Sequence, residues 1–506
     1  MPSRTRLTAA ILAAACTFGT AGIAAATPVT PQGSTAPGLG SSANGSSDGT
    51  VLGGSSVTQD SLDGAGSNWF GNTADLAGMK PGQVIDTRTI LYHYFGIPTP
   101  VPVQQIKFRT TNALGQASYG ITSIMKPAVP QNGKVVSFHS VYDSLNPDHA
   151  PSRAIAGDVA LGTVADNAES TLLLPFLAQG YTVAVTDIEG PEAHFAAGPK
   201  YGMVTLDALR AAMATPETGL RNDAPIGLFG YSGGAIATNW AAALAPSYAP
   251  EVNKNLVGSA TGGVLVDPEK NIQYVNGSEK WSGILPFTLL GVARAYQFDL
   301  QPYLSDYGKL VMSRMEHAVI TEVYPLFNGI TWDQLFKPEY REPRSIPGLA
   351  DALNKINLGF APTPTSPMFI GEADNGEPDG TAIGGANIGS GDGVMVTGDV
   401  RALAHRYCDA GQPVTYHEYK APFHVPGFLP FYLEGTGWLL DRFNGKPAPS
   451  DCATIPQGNT FRKAEQVPPG PGASRYSPTH WGPPITQRAS TVPQKRWAAP
   501  SSSCFP

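Results

Sequence analysis

Ile226-Gly227-Leu228-Phe229-Gly230-Tyr231-Ser232-Gly233-Gly234-Ala235-Ile236-Ala237-Thr238-Asn239-Trp240 is the stretch that decides the fold. An apolar run, 226–229, leads into G-x-S-x-G and then into an alanine-rich segment, 235–244, with the composition of a buried helix. Strand, sharp turn and helix with a serine at the apex is the nucleophile-elbow pattern. The serine there sits in a strained backbone conformation. Glycines two residues before and after it remove side chains that would clash where strand and helix pack closely. The hydroxyl then projects above the sheet, and the amide of Gly233 can point at a developing oxyanion. An ordinary glycine-rich turn would satisfy the same five letters. The flanking strand and helix favour the catalytic reading.

Outward from the elbow, the pattern alternates. Residues 105–109 and 119–126 read as strands joined by a turn at Asn112-Ala113-Leu114-Gly115, and 134–140 as a third strand ending in Val141-Tyr142-Asp143-Ser144. Residues 171–178 read as a helix stopped by Gly180, 181–187 as a strand buried on both faces, and 205–214 as a helix. Later strands are expected at 256–261, 368–371 and 414–419, with a helix at 399–407. Such alternation predicts an α/β fold with a mostly parallel central sheet covered by helices.

Between about 267 and 347 the strands vanish, and Leu285, Leu289, Val292, Ala293 and Tyr296 recur at helical spacing. This predicts a helical cap (lid) inserted into a core formed by 65–266 and 348–455. Leu285, Phe287, Leu289, Leu290, Val292 and Tyr296 suggest the wall of an acyl pocket, with Pro286 and Gly291 breaking the segment into short pieces. A cap that merely buries its own core is the plainer alternative.

The ends read differently. Arg4 and Arg6, an apolar stretch 7–23 and Ala24-Ala25-Ala26 form a Sec-type signal peptide over 1–26, so the protein is expected to be secreted and extracellular. Cys16 lacks the aliphatic residue of a lipoprotein signal, so lipid anchoring is not expected. Residues 27–64 are Gly, Ser, Thr and Pro with little charge and predict a flexible leader; 456–506 form a Pro-rich tail carrying Trp481 and Trp497. A net charge of −7 with 14% charged residues and no basic stripe argues against nucleic acid. Beyond the signal the cysteines are Cys408, Cys452 and Cys504. Cys408 and Cys452 lie in the compact C-terminal part of the core and are the expected pair, worth about 4 kcal/mol in the chain-entropy picture. Cys504 is left over.

A serine needs a base, and the base a carboxylate. In the α/β-hydrolase chain order the acid follows the serine and the histidine comes last. His424, in Ala421-Pro422-Phe423-His424, fits a loop just after the last strand. His405 falls in a helix, His417 in a strand and His480 in the tail. For the acid, Asp392 is favoured because its loop feeds directly into a helix, with Asp374 after strand 368–371 as the alternative. Asp374, Glu377 and Asp379 could instead bind calcium, though without EF-hand spacing. No phosphate cradle is present, since Gly-Lys-Ser/Thr is missing.

These pieces resemble the secretory lipase family, the lipase-A-like capped α/β-hydrolases, over about 67–452. The likeness lies in Lys80-Pro81-Gly82-Gln83-Val84-Ile85, Thr111-Asn112-Ala113-Leu114-Gly115, Tyr142-Asp143-Ser144-Leu145, the elbow through Ala237, Asp392-Gly393-Val394, Cys408-Asp409-Ala410-Gly411 and Phe423-His424. The resemblance implies a triad of Ser232, Asp392 and His424 and an oxyanion hole made by the amides of Asp143 and Gly233. It also implies a C-terminal disulfide between Cys408 and Cys452. His149 stands where relatives have a cysteine, so an N-terminal disulfide is not expected. The implied function is a secreted carboxylic-ester hydrolase, most simply a triacylglycerol lipase, acting on an acyl-ester lipid without metal or cofactor. The cap leaves room for transient contact with a lipid interface, and no stable protein partner is implied. Rival readings are a short-chain esterase or an acyltransferase on cell-envelope lipids, a catalytically silent lipid-binding protein on the same fold, and, more weakly, a peptidase.

Overall fold

The computed structural model describes residues 68–470 except 73, 382–383 and 385–387. The expected signal peptide and leader, Cys16, His480, Trp481, Trp497 and Cys504 lie outside the described residues.

Nine strands form one sheet in the order β1-β2-β3-β5-β4-β6-β7-β8-β9. β1 (Val84–Tyr94), β2 (Ile97–Thr111) and β3 (Ala117–Met125) form an antiparallel meander, and β3 pairs antiparallel with β5 (Thr182–Thr186). From β5 onward all pairing is parallel, through β4 (Val135–His139), β6 (Ile226–Tyr231), β7 (Leu256–Gly262), β8 (Met368–Ala373) and β9 (Val414–Tyr419). This is the α/β-hydrolase fold, its sheet mixed but mostly parallel. The meander is one strand longer than the alternation predicted. β1 lies at the sheet edge, with Asp86, Thr87, Thr89 and Leu91 exposed, so its sequence carries a weak apolar signal.

The central strands are apolar at nearly every position because both faces are covered. On β6, Ile226 and Leu228 enter one core and Phe229 and Tyr231 the other. Val135 against Val136 and Phe138 on β4 divides the same way, as does Ala184 against Val183 and Val185 on β5. Helix Gly198–Ala214 and the elbow helix Gly233–Tyr248 cover the first face. Helix His424–Phe443, with Phe431, Trp438, Leu439 and Phe443, covers the second. The helix expected at 205–214 starts earlier, at Gly198, where Pro199 suits a first turn. The one expected at 171–178 is a 3₁₀ turn, Ser170–Leu173, running into Leu174–Leu177.

Between β7 and β8 the described chain is helical. It includes Pro268–Val275, Ile284–Tyr296, Asp306–Met315 and Ile320–Leu326, and continues past 347 through Leu349–Ile356. The expected interruption at Pro286 and Gly291 does not occur, for Ile284–Tyr296 is one helix. Pro286 falls in its first turn, where no intrahelical amide bond is lost. Gly291 lets the helix approach Phe195: a β-carbon there would lie 2.5 Å from the Phe195 carbonyl oxygen.

Cys408 and Cys452 form a disulfide. His149 has its ring beside Ser144 Oγ (3.2 Å) and Asn146 Nδ2 (3.3 Å). The tail is packed as far as 470, with Asn459 Nδ2 donating to Asp399 and the Gly470 amide to Glu339. No helix among the described residues is long and apolar enough to cross a membrane.

Candidate active site

Ser232 stands between β6 and the elbow helix with φ 52° and ψ −120°. That region disfavours side chains and costs on the order of 1–3 kcal/mol unless its surroundings hold it. The Ser232 amide donates to the Gly262 carbonyl on β7 at 2.9 Å, which pins the turn to the neighbouring strand. The glycines two residues before and after the serine leave no room for a side chain. A β-carbon on Gly230 would meet the Gly234 carbonyl oxygen at 2.4 Å, and one on Gly234 would meet the His139 carbonyl oxygen at 2.1 Å.

His424 Nε2 lies 2.8 Å from Ser232 Oγ, and His424 Nδ1 lies 2.5 Å from Asp392 Oδ2. Asp392 is held by its own loop, its Oδ1 accepting the amides of Val394 (2.9 Å) and Met395 (2.7 Å). The two loops are also tied through the backbone, since the His424 amide donates to the Asp392 carbonyl at 2.7 Å. Tyr231, next to the serine, donates its hydroxyl to the His424 carbonyl at 2.6 Å. His424 is the first residue of helix His424–Phe443, not part of a loop as its sequence suggested. Pro422 and Pro426 hide that start: one precedes the helix, and the other falls in its first turn, where no amide is needed.

The structure brings Asp392, and not Asp374, to His424. Asp374 is ion-paired with Lys420 at 2.8 Å and with Arg401 at 3.6 Å. Nor do Asp374, Glu377 and Asp379 make the calcium cluster considered from sequence. Asp379 is engaged by Trp281 and Lys280, Glu377 is exposed, and no metal-holding group of His, Cys, Asp and Glu occurs among the described residues. The other histidines are occupied elsewhere, His405 near the Pro456 carbonyl (3.0 Å) and His417 against Glu434 (2.6 Å).

Across the elbow from His424 lies a second acidic group. Asp143 follows β4 and is buried, and its carbonyl accepts the amide of Ile320 from the helical insert. No donor among the described residues reaches its Oδ1. Burial, reinforced by the charge of Glu169, pushes the Asp143 carboxyl well above the usual range. Glu169 accepts from Ser140 Oγ at 2.5 Å, and burial raises its pKa to about 7.

These side chains border a cavity of about 510 Å³. Ser232, Gly233, Asp143, Glu169 and His424 contribute polar wall, and most of the rest is aliphatic, including Leu285, Leu289 and Val292 of helix Ile284–Tyr296 and Leu353. Phe287, Leu290 and Tyr296, also expected in the wall, do not line it, and Phe287 packs against Phe195 with ring centroids 4.7 Å apart and planes at 47°. Sequence reasoning missed two neighbours of the triad. Trp281 packs its ring against His424, with centroids 5.3 Å apart and planes at 83°. Glu372, fully buried on β8, accepts the Val264 amide, and burial together with the Asp392 charge pushes its carboxyl well up. An acid inside the apolar run Met368-Phe369-Ile370-Gly371-Glu372-Ala373 was the available signal for Glu372. Trp281 carried none, because its contact joins segments far apart in sequence.

A family model described as secretory lipase matches residues 156–356. Lipase 1 of Candida albicans is 36% identical over 362 residues, covering 69% of this chain and 73% of that protein. A Mycobacterium tuberculosis protein named "Probable inactive lipase" is 28% identical, covering 72% of this chain and 79% of its own length. Among solved structures, Candida antarctica lipase A in its closed state superposes with a TM-score of 0.67 at 23% identity, over 78% of this chain and 89% of that one. The chain belongs to the secretory lipase family, carboxylic-ester hydrolases of the α/β-hydrolase fold.

Proposed function

We propose that this member of the family is a secreted triacylglycerol lipase in which Ser232, His424 and Asp392 carry out acyl transfer to water. One observation carries the reading: the unbroken contact Ser232 Oγ–His424 Nε2–Asp392, at 2.8 and 2.5 Å, opens on an apolar cavity large enough for an acyl chain. Ser232 Oγ attacks the ester carbonyl while His424 Nε2 takes its proton. Asp392 orients the imidazole and stabilises the imidazolium. The carbonyl oxygen, now negative, lies toward the backbone amides of Gly233 and Asp143. Collapse of the tetrahedral intermediate breaks the ester C–O bond, and the alcohol leaves with the proton from His424. Water then attacks the acyl-enzyme, again giving a proton to His424, and the fatty acid departs as Ser232 recovers its hydrogen.

The helical insert reads as a cap, because Leu285, Leu289 and Val292 line the cavity beside the serine. Each buried acyl methylene contributes about 0.8 kcal/mol, so a pocket of this size favours long chains over acetate. Such a preference supports a lipase over a short-chain esterase. An acyltransferase would use the same residues with an alcohol in place of water. The relative named as inactive keeps a silent lipid-binding protein in view, and the intact hydrogen-bonded triad supports activity instead.

The test is a ladder of p-nitrophenyl esters and triacylglycerols, run beside fluorophosphonate labelling of wild type and Ser232→Ala. Wild type should label covalently and prefer long chains. Ser232→Ala should fold, lose labelling and lose activity by about 10⁶, as for other triad serines. Hydrolysis persisting in Ser232→Ala would overturn the reading, and a maximum at acetate would move it to an esterase.

A further inference from the structure

The described part of the glycine-rich stretch between Asp374 and Asp392 supplies neither the residue facing His424 nor a cation site, yet it places one buried carboxylate where insert and triad meet. Asp379 lies on a short 3₁₀ turn, Glu377–Asp379, and is fully buried. Its Oδ2 accepts Trp281 Nε1 at 2.7 Å, and its Oδ1 accepts Lys280 Nζ at 3.0 Å. The backbone repeats the connection, with the Lys280 amide donating to the Asp379 carbonyl at 3.2 Å. On its other side the turn is sewn to the Asp392 loop. Thr381 Oγ1 donates to the Gly393 carbonyl at 2.7 Å, and the Gly376 amide to the Gly391 carbonyl at 2.8 Å.

What Asp379 holds then touches the base. Trp281 lies against the His424 ring at 5.3 Å, and Lys280 Nζ sits over the ring of Phe423 at 5.5 Å. Two consecutive residues of the insert therefore engage two consecutive residues of the histidine segment, and one carboxylate grips both. Asp392 and Ser232 constrain the imidazole at its two nitrogens, which leaves tilt of the ring plane. Aromatic packing opposes that tilt, from Tyr231 (5.3 Å, 36°) and from Trp281 at near right angles. Of these two rings, Trp281 belongs to the insert and needs an anchor, and its indole N–H can only donate. A buried indole donor that loses its acceptor finds a new position or stays unpaired at a cost.

We propose that Asp379 is a positioning residue that acts through Trp281 to hold the His424 ring in line with Ser232, so that seating of the helical insert and alignment of the base are one event. This rests on the reading of His424 as the general base. Catalysis is sensitive to displacements of the order of 1 Å in such groups. Removing the anchor should therefore lower turnover more than binding.

The experiment uses the full chain with a saturating long-chain ester, and measures labelling by a small fluorophosphonate that has little need of the acyl pocket. Asp379→Ala should lower kcat and the labelling rate together by about 10- to 100-fold, with KM within about 3-fold of wild type. Trp281→Phe keeps an aromatic ring but loses the donor, and should have a similar effect. The double variant should be no slower than the slower single one, because the two residues act as a unit. Asp379→Asn retains a carbonyl acceptor for the indole and should recover most of the activity. Exposed Glu377→Gln should match wild type. Wild-type kcat and labelling in Asp379→Ala with only a lower Tm would overturn the proposal, as would multiplicative losses in the double variant. If Asp379→Ala does not fold, Trp281→Phe decides: unchanged kcat and labelling in that variant also overturn it. Loss of hydrolysis in Ser232→Ala beside full activity in the Asp379 variants would sink this inference alone, whereas an active Ser232→Ala would sink the underlying reading.

Discussion

Asp392 and Asp143 are both buried carboxyls beside the Ser232–Gly233 turn, yet Asp392 has a partner on each oxygen while Asp143 Oδ1 has none. Asp392 receives two amides of its own loop on one oxygen and His424 on the other. Asp143 lies against Gly233, where burial and then the charge of Glu169 push its carboxyl up. The difference teaches what each side of the serine is built for. On the proposed mechanism, one side supports a negative charge that must persist while an imidazolium forms and discharges. The other favours the neutral carboxyl, which on the same mechanism suits a place where negative charge develops on substrate, since a fixed carboxylate there would repel it.

Three substitutions would break or sharpen this contrast. The largest effect is expected for Asp392→Asn, which should cost about 10⁴ in kcat, the loss seen when the orienting carboxylate of a triad is removed. Asp374→Asn, which disturbs only pairs with Lys420 and Arg401, should stay within a few-fold. The reverse ranking in ester-hydrolysis assays would reassign the acid. Asp143→Asn is nearly isosteric and neutral, so it should keep activity within about 10-fold if, as proposed, the oxyanion uses the backbone amide. A loss of about 10³ would match removal of an oxyanion donor and show that the side chain itself takes part.

The smallest effect concerns stability and pH. Glu169 has its pKa raised from 4.5 to about 7 by burial, so the folded state holds its proton where the unfolded chain has lost it. Stability should then fall as pH rises from the unfolded value through about 7, and level off above. Thermal melts between pH 4 and 9 should show a shallower decline in Glu169→Gln than in wild type. Parallel curves would mean that Glu169 does not control this dependence.

Much of the fold was legible because buried parallel strands advertise themselves. A strand covered on both faces must be apolar throughout, as 182–186 and 226–231 are, and a nucleophile elbow needs glycines at fixed offsets. The edge strand β1, half exposed and bulged, carried no such signal. Ser232 and His424 could be singled out by chain order, but the acid could not, because Asp374 and Asp392 both follow β8 and both sit in turn-forming sequence. Tertiary geometry separates them: Lys420 and Arg401 take up Asp374, and the amides of Val394 and Met395 aim Asp392 at the histidine. The insert was recognisable by its helical period. Its unbroken helix over Pro286 was not, since a proline in a first turn looks in sequence like a proline that breaks one.

Local sequence thus determined the elements whose cause is local: strands set by alternation and burial, the strained turn at Ser232 set by its glycines, and the helical character of 267–347. Only the tertiary structure decided which distant groups meet. Asp379 and Trp281, 98 residues apart, share a hydrogen bond, and Trp281 reaches a histidine further along still. Asp143 is driven toward its neutral form by burial between segments that no window of sequence contains. The physical reason is the same in each case. Backbone preference acts over a few residues, whereas desolvation and side-chain hydrogen bonding depend on whatever the folded chain brings within a few ångströms.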